Sequence, residues 1–177
     1  CNFTTGSQIS KTEFSCTSLL SYPSPTPASY TDAHIKFFDC HNLIIGGNNS
    51  SDGNQFFNNA DYSIYSIASS FIASNNDIEN VSSLASSAGI YTQSDGGIGF
   101  KAEIDHNDFV DNNYGCYISD RTDVEIINNT FDNCDIGVKC INNQSSTVHI
   151  EDNTNMVCKN IGIFCIGNTG AQIDIIS

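Results

Sequence analysis

Between Ala102 and Cys165 apolar and polar residues alternate in short bursts, and the bursts recur. Ala102 and Ile104 alternate with Glu103 and Asp105, Val124 and Ile126 with Glu125, and Val148 and Ile150 with His149 and Glu151. A period of two sends successive side chains to opposite faces, so each burst predicts a strand with one row inside and one in solvent. Each burst opens a longer unit. Ile104-x-x-Asn107-x-Phe109 with Gly115-Cys116-x-Ile118 returns as Ile126-x-x-Asn129-x-Phe131 with Gly137-Val138-x-Cys140. It returns again as Ile150-x-x-Asn153-x-x-Met156 with Gly162-Ile163-x-Cys165. The steps are 22 and 24 residues from Asn to Asn, at 107, 129 and 153, and 22 and 25 from Gly to Gly, at 115, 137 and 162. A fixed period of this size predicts a solenoid whose coils bury their apolar face only by stacking.

Short strands separated by Asn, Asp and Gly corners describe a coil of a parallel β-helix, and the Leu-x-x-Leu-x-Leu frame of leucine-rich repeats is missing. The pattern resembles the right-handed parallel β-helix superfamily, the fold of pectate-lyase-like proteins. The expected fold is therefore all-β: a single-stranded right-handed parallel β-helix of about six coils over residues 34–177, preceded by a non-repeat arm over residues 1–33. Equivalent residues should stack ~4.8 Å apart. Asn107, Asn129 and Asn153 then form an Asn ladder, Phe109, Phe131 and Met156 an apolar column, and Ile104, Ile126 and Ile150 another. Upstream, Phe57 to Ile64 matches Phe131 to Val138 position by position. The following coil is read with Ser70 at the ladder position, Ile72 in the Phe column and a protruding insertion around residues 76–87.

Composition agrees with a turn-rich β protein. The 177 residues include three prolines, at 23, 25 and 27, and none after them to interrupt a strand ladder. Six Lys and Arg against 20 Asp and Glu give a formal charge of −14, which disfavours nucleic acid and anionic membrane surfaces as partners. Eight cysteines in a chain that opens on Cys1 rather than Met imply a removed leader and an oxidising compartment. Cys140 and Cys165 fall at one inward position of adjacent coils, and Cys134 and Cys158 are near-equivalent, so these are the expected disulfides. Cys1, Cys16, Cys40 and Cys116 are left to pin the arm. Sequons begin at Asn2, Asn48, Asn49, Asn80, Asn128 and Asn143, each in a segment read as a loop or corner. No apolar run is long enough to cross a bilayer.

Candidate chemistry is sparse. The residue two past each coil's glycine points outward, giving Tyr65, Tyr91, Tyr117, Lys139 and Phe164, a row suited to contact with another surface or with sugar rings. The best carboxylate cluster is Glu103, Asp105, Glu125 and Glu151 on outward faces of adjacent strands. Lys101 and Arg121 flank it without a lyase signature. Asn153-Thr154-Asn155 lacks the acid of a polygalacturonase-type segment, and the four histidines are scattered. No catalytic residue, metal site or cofactor is expected. Ile173 and Ile175 begin a further strand that ends at Ser177 without a cap, an edge that invites addition of a second molecule. The resulting expectation is a secreted, extracellular structural glycoprotein. It self-associates end to end into a head-to-tail fibril or matrix, with N-glycans as its covalent attachments. The alternative is a carbohydrate-active enzyme or sugar-binding module acting on a polysaccharide.

Overall fold

A computed structural model describes residues 8–10, 13–15, 33–57, 61–79, 86–94, 100–120, 123–143 and 147–176. The chain winds as a parallel β-solenoid whose coils lay strands into three sheets. Sheet I holds seven strands: Gln8–Ile9, Leu43–Gly46, Phe71–Ser74, Lys101–Asp105, Asp123–Ile127, Thr147–Glu151 and Gln172–Ile176. Sheet II holds six: Glu13–Ser15, Gln55–Phe57, Asp77–Glu79, Asp108–Val110, Thr130–Asp132 and Thr154–Val157. Sheet III also holds six: Ala33–Phe38, Tyr62–Ile67, Ala88–Gln93, Tyr114–Ser119, Ile136–Ile141 and Ile161–Ile166. The single helical element among the described residues is one 3-10 turn, Ser50–Asp52. The arm contributes a short parallel strand to sheet I, Gln8–Ile9 on Ile44–Ile45, and one to sheet II, Glu13–Ser15 on Gln55–Phe57.

The columns read from the repeat are present. Ile104, Ile126 and Ile150 are in register on sheet I and buried. Phe109 and Phe131 stack with ring centroids 4.9 Å apart and planes 3° from parallel. Met156 packs against the same core beside a register shift between Thr130 and Asp132. The glycines are set by this column: a Cβ on Gly115 would lie 2.5 Å from the Phe131 ring and 2.7 Å from the Gly137 carbonyl.

The Asn ladder is longer than the repeat suggested. Asn54, Asn76, Asn107, Asn129 and Asn153 pass amide hydrogen bonds of 2.9, 2.9, 3.0 and 3.0 Å from each Nδ2 to the next Oδ1. Each Oδ1 also accepts from the preceding backbone N–H, for example Asn107 N to Asn129 Oδ1 at 2.9 Å. Ser70 and Ile72 therefore do not occupy the ladder and Phe positions. Ile72 lies in register with Ile44 and Glu103 on sheet I, and the true equivalents are Asn76 and Ile78. Likewise Phe56, not Phe57, joins the core column through Ile78, because one extra residue separates it from Ile64. The corner before the ladder takes positive φ at Asn75, His106, Asn128 and Asp152, between 50° and 57°, which short polar side chains tolerate.

Candidate functional site

The three outer faces differ sharply in charge. The strands of sheet I contain Glu103, Asp105, Asp123, Glu125, Glu151 and Asp174, and those of sheet II contain Glu13, Asp77, Glu79, Asp108 and Asp132. The six strands of sheet III contain no Asp or Glu at all. Their outward middle position forms one column in register: Lys36, Tyr65, Tyr91, Tyr117, Lys139, Phe164. The expected row is thus assembled, and Lys36, which sequence reading left out, heads it. Lys36 precedes the first glycine-marked unit, so the glycine rule had nothing to count from.

The rings of this column are engaged with one another. Tyr65 and Tyr91 stack at 4.9 Å with planes 9° apart, and Tyr91 meets Tyr117 edge-on at 5.2 Å. Lys139 Nζ stands 4.4 Å from the ring centroids of both Tyr114 and Tyr117, and Lys36 Nζ lies 4.9 Å from Tyr65 and 5.3 Å from Phe38. The two ammonium groups thus bracket the tyrosines in cation–π geometry. Tyr91 Oη donates to Gln93 Oε1 at 2.8 Å, and burial pushes the Tyr91 and Tyr62 phenols above their ordinary range. These tyrosines are neutral at any physiological pH. The neighbouring column runs Phe38, Ile67, Gln93, Ser119, Ile141, Ile166, with Phe38 and Ile166 51% and 56% exposed and Ser119 buried. The face is a flat aromatic and aliphatic surface with two fixed cations, on an otherwise acidic molecule.

Ile173 and Ile175 stand apart from this row. They lie on sheet I in register with Val148 and Ile150, the inward column.

The carboxylates are not brought into one cluster. Glu103 pairs in register with Glu125, whereas Ile127 separates Asp105 from Glu151. Three of the four have a cationic or imidazole neighbour: Lys101 to Glu125 at 2.8 Å, His106 to Asp105 at 2.7 Å and His149 to Glu151 at 2.7 Å. Glu103 borders a shallow groove with an Ile44, Phe71 and Ile72 floor and Lys101 at its rim. Among the described residues no group of three or more His, Cys, Asp or Glu is placed to hold a metal ion, and no helix is long and apolar enough to cross a membrane.

All six described cysteines are thiols. Cys140 and Cys165 are register partners on sheet III, as the repeat implied. Their hydrogen bond lowers the Cys165 thiol to about 7 and, with burial, raises that of Cys140. Cys134 is buried, which pushes its thiol up to about 12, and Cys158 lies close enough to add to the shift. Cys116 is not on the arm side: it is fully buried between Ile90 and Val138, because the residue after Gly115 points inward. Cys40 donates to the Phe38 carbonyl at 3.3 Å. Cys1 and Cys16 lie outside the described residues.

Of the sequons, Asn2 and Asn80 also lie outside the described residues. Asn48 and Asn49 are exposed beside the 3-10 turn, and Asn128 is half-buried with its amide on Asp105 Oδ1 at 3.2 Å. Asn143 was expected on an open corner. It is instead fully buried, its backbone N–H and side-chain amide both donating to Asn168 Oδ1 in a second, shorter ladder. No family model matches the chain, and neither a curated protein nor a solved structure does.

Proposed function

We propose that this protein is a non-catalytic, secreted structural glycoprotein that associates with copies of itself through the outer face of sheet III. The observation that carries the reading is the segregation of charge: eleven Asp and Glu residues in the strands of sheets I and II, and none in those of sheet III. An exposed aromatic and aliphatic sheet face of this kind marks a contact surface. Aromatic rings are enriched at the desolvated centre of interfaces and carboxylates are depleted there; the two lysines of the face, a residue type also depleted at such centres, are each held over rings in cation–π geometry. Eight cysteines and the exposed sequons at Asn48 and Asn49 support an extracellular setting.

The carbohydrate reading has less behind it. A sugar platform offers ring faces to the ligand, and here Tyr65 and Tyr91 use theirs on each other while Lys139 stands over Tyr114 and Tyr117. Sedimentation velocity over a wide concentration range tests the proposal. Reversible growth in mass with concentration is expected, and it should weaken in Tyr117→Asp, which sets a carboxylate in the face. A wild-type protein that stays monomeric at the highest concentration refutes it.

A further inference from the structure

The order of residues along sheet III specifies how two copies would meet, an inference that rests on the self-association reading above. The central column runs Lys36, Tyr65, Tyr91, Tyr117, Lys139, Phe164. Two identical flat faces can pair about a two-fold axis lying between them in only two principal ways. With the axis along the coil stack, each rung meets itself. Lys36 then faces Lys36 of the partner subunit and Lys139 faces Lys139 of the partner subunit, two like-charge contacts in a desolvated interface. With the axis along the strands, the stacking order is reversed. Lys36 now faces the partner subunit's Phe164, Tyr65 the partner subunit's Lys139, and Tyr91 the partner subunit's Tyr117. No lysine meets a lysine, and each meets a ring.

The neighbouring column obeys the same reversal, although nothing in the first requires it to. Phe38 is brought to the partner subunit's Ile166, Ile67 to the partner subunit's Ile141, and Gln93 to the partner subunit's Ser119. Apolar meets apolar in the two outer pairs, and at the centre Gln93 falls over the position of Ser119, a polar residue that is itself buried with its hydroxyl on Asp120 Oδ2 at 2.9 Å. The two columns together are read alike from either end, as an isologous contact requires. We infer that the protein forms a two-fold dimer in which the outer faces of sheet III pack with opposed coil axes, the lysine of each copy capping a ring of the other.

The size of the face sets the strength. Six strands ~4.8 Å apart, each six residues of ~3.3 Å, present about 24 by 20 Å, so pairing removes roughly 1,000 Å² from water over both copies. That is at the low end for specific interfaces, so a reversible dimer with a dissociation constant of about 1–100 μM is expected. A face that pairs with itself closes at two copies, so growth into a fibril would require a second contact as well.

The test reverses charge at one facing pair. Tyr65→Lys sets a lysine against the partner subunit's Lys139, and Lys139→Glu removes the cation from the ring. Each variant alone should dimerise roughly tenfold more weakly or worse, since each cation–π pair is lost twice by symmetry. An equimolar mixture should recover most of the loss, because one heterodimer contact becomes Lys opposite Glu while the other stays native. Within one chain the two sites are three rungs apart, ~14 Å, so folding of a single copy cannot mimic the recovery. Thermal melting of each variant checks that it folds. A second measurement needs no substitution: an amine cross-linker applied to mixed light and heavy isotope-labelled wild type should join Lys36 of one copy to Lys139 of the other. Recovery on mixing and that heterotypic link support the opposed arrangement. Weakened variants that mixing does not rescue, or Lys36–Lys36 links, overturn the opposed arrangement and leave the self-association reading standing. Dimerisation untouched by either substitution overturns sheet III as the contact, and a wild-type monomer overturns both.

Discussion

Replacing Asn129 by Ala should remove a large share of the stability of the fold. The side chain is fully buried in the middle of the ladder. Its Nδ2 lies 2.9 Å from the Ile104 carbonyl, 3.0 Å from its own strand's Ile127 carbonyl and 3.0 Å from Asn153 Oδ1. Its Oδ1 accepts from Asn107 N at 2.9 Å and Asn107 Nδ2 at 3.0 Å. Alanine deletes all five contacts and leaves the buried Asn107 N–H without an acceptor. At about 1 kcal/mol for each bond lost, and more for an orphaned buried donor, the cost is about 4–6 kcal/mol. A domain of this size has about 5–15 kcal/mol in total. Asn153→Ala should cost about half as much, since Asn153 is itself only half-buried, so water can enter the space its side chain vacates and reach the Asn129 amide and Ile126 carbonyl that it covers in the native fold. Urea titrations followed by far-UV circular dichroism, compared at constant slope, give both numbers. A shift below about 1 kcal/mol for Asn129→Ala, or a larger one for Asn153→Ala, would show that the ladder does not hold the corners together.

Other substitutions probe the interior and the thiols. Thr92 Oγ1 is buried without a hydrogen-bond partner, so Thr92→Val keeps the shape, removes the cost of the hydroxyl and should raise the urea midpoint by about 1 kcal/mol. Gly115→Ala should cost about 2–3 kcal/mol in the same titration, since its Cβ would overlap the Phe131 ring and the Gly137 carbonyl and neither can retreat from a packed column. Alkylation of reduced protein should modify Cys165 first, with a rate that rises through pH about 7, because Cys140 donates to its thiolate. The folded value lies below the ordinary 9.0, so the stabilisation this gives is complete above pH 9 and lost as the pH falls through about 7. Equal rates at Cys165 and Cys134 would contradict that arrangement. A small-molecule disulfide oxidant should join Cys140 to Cys165 in preference to any pair with Cys116, a bond that peptide mapping under non-reducing conditions detects.

The sequence was most legible where three units followed one another without interruption. Ile104, Ile126 and Ile150, the Phe109 and Phe131 stack, and the strand register of Cys140 with Cys165 all follow from counting along an unbroken period. Legibility failed at Asn76. In Asn75-Asn76-Asp77 the residue that enters the core is flanked by residues typical of turns, so a ladder position looked like loop. Its bonds to Asn54 and Asn107 are what distinguish it, and those span 22 and 31 residues. Asn143 was misjudged for the same reason. An Asn in a corner reads as exposed unless its partner one coil away, here Asn168, is known. The sheet III face was half visible. Each tyrosine follows from its glycine, but the absence of acid from all six strands emerges only when they are laid side by side.

Hydroxyl-radical footprinting of the wild-type protein at low and high concentration tests the central claim most directly, because it reports which face is covered. Protection that grows with concentration should fall on Phe38, Tyr117, Phe164 and Ile166 of sheet III, while His149 and Ile127 of sheet I keep their reactivity. Protection confined to sheets I and II, or a pattern that does not change with concentration, would contradict the account.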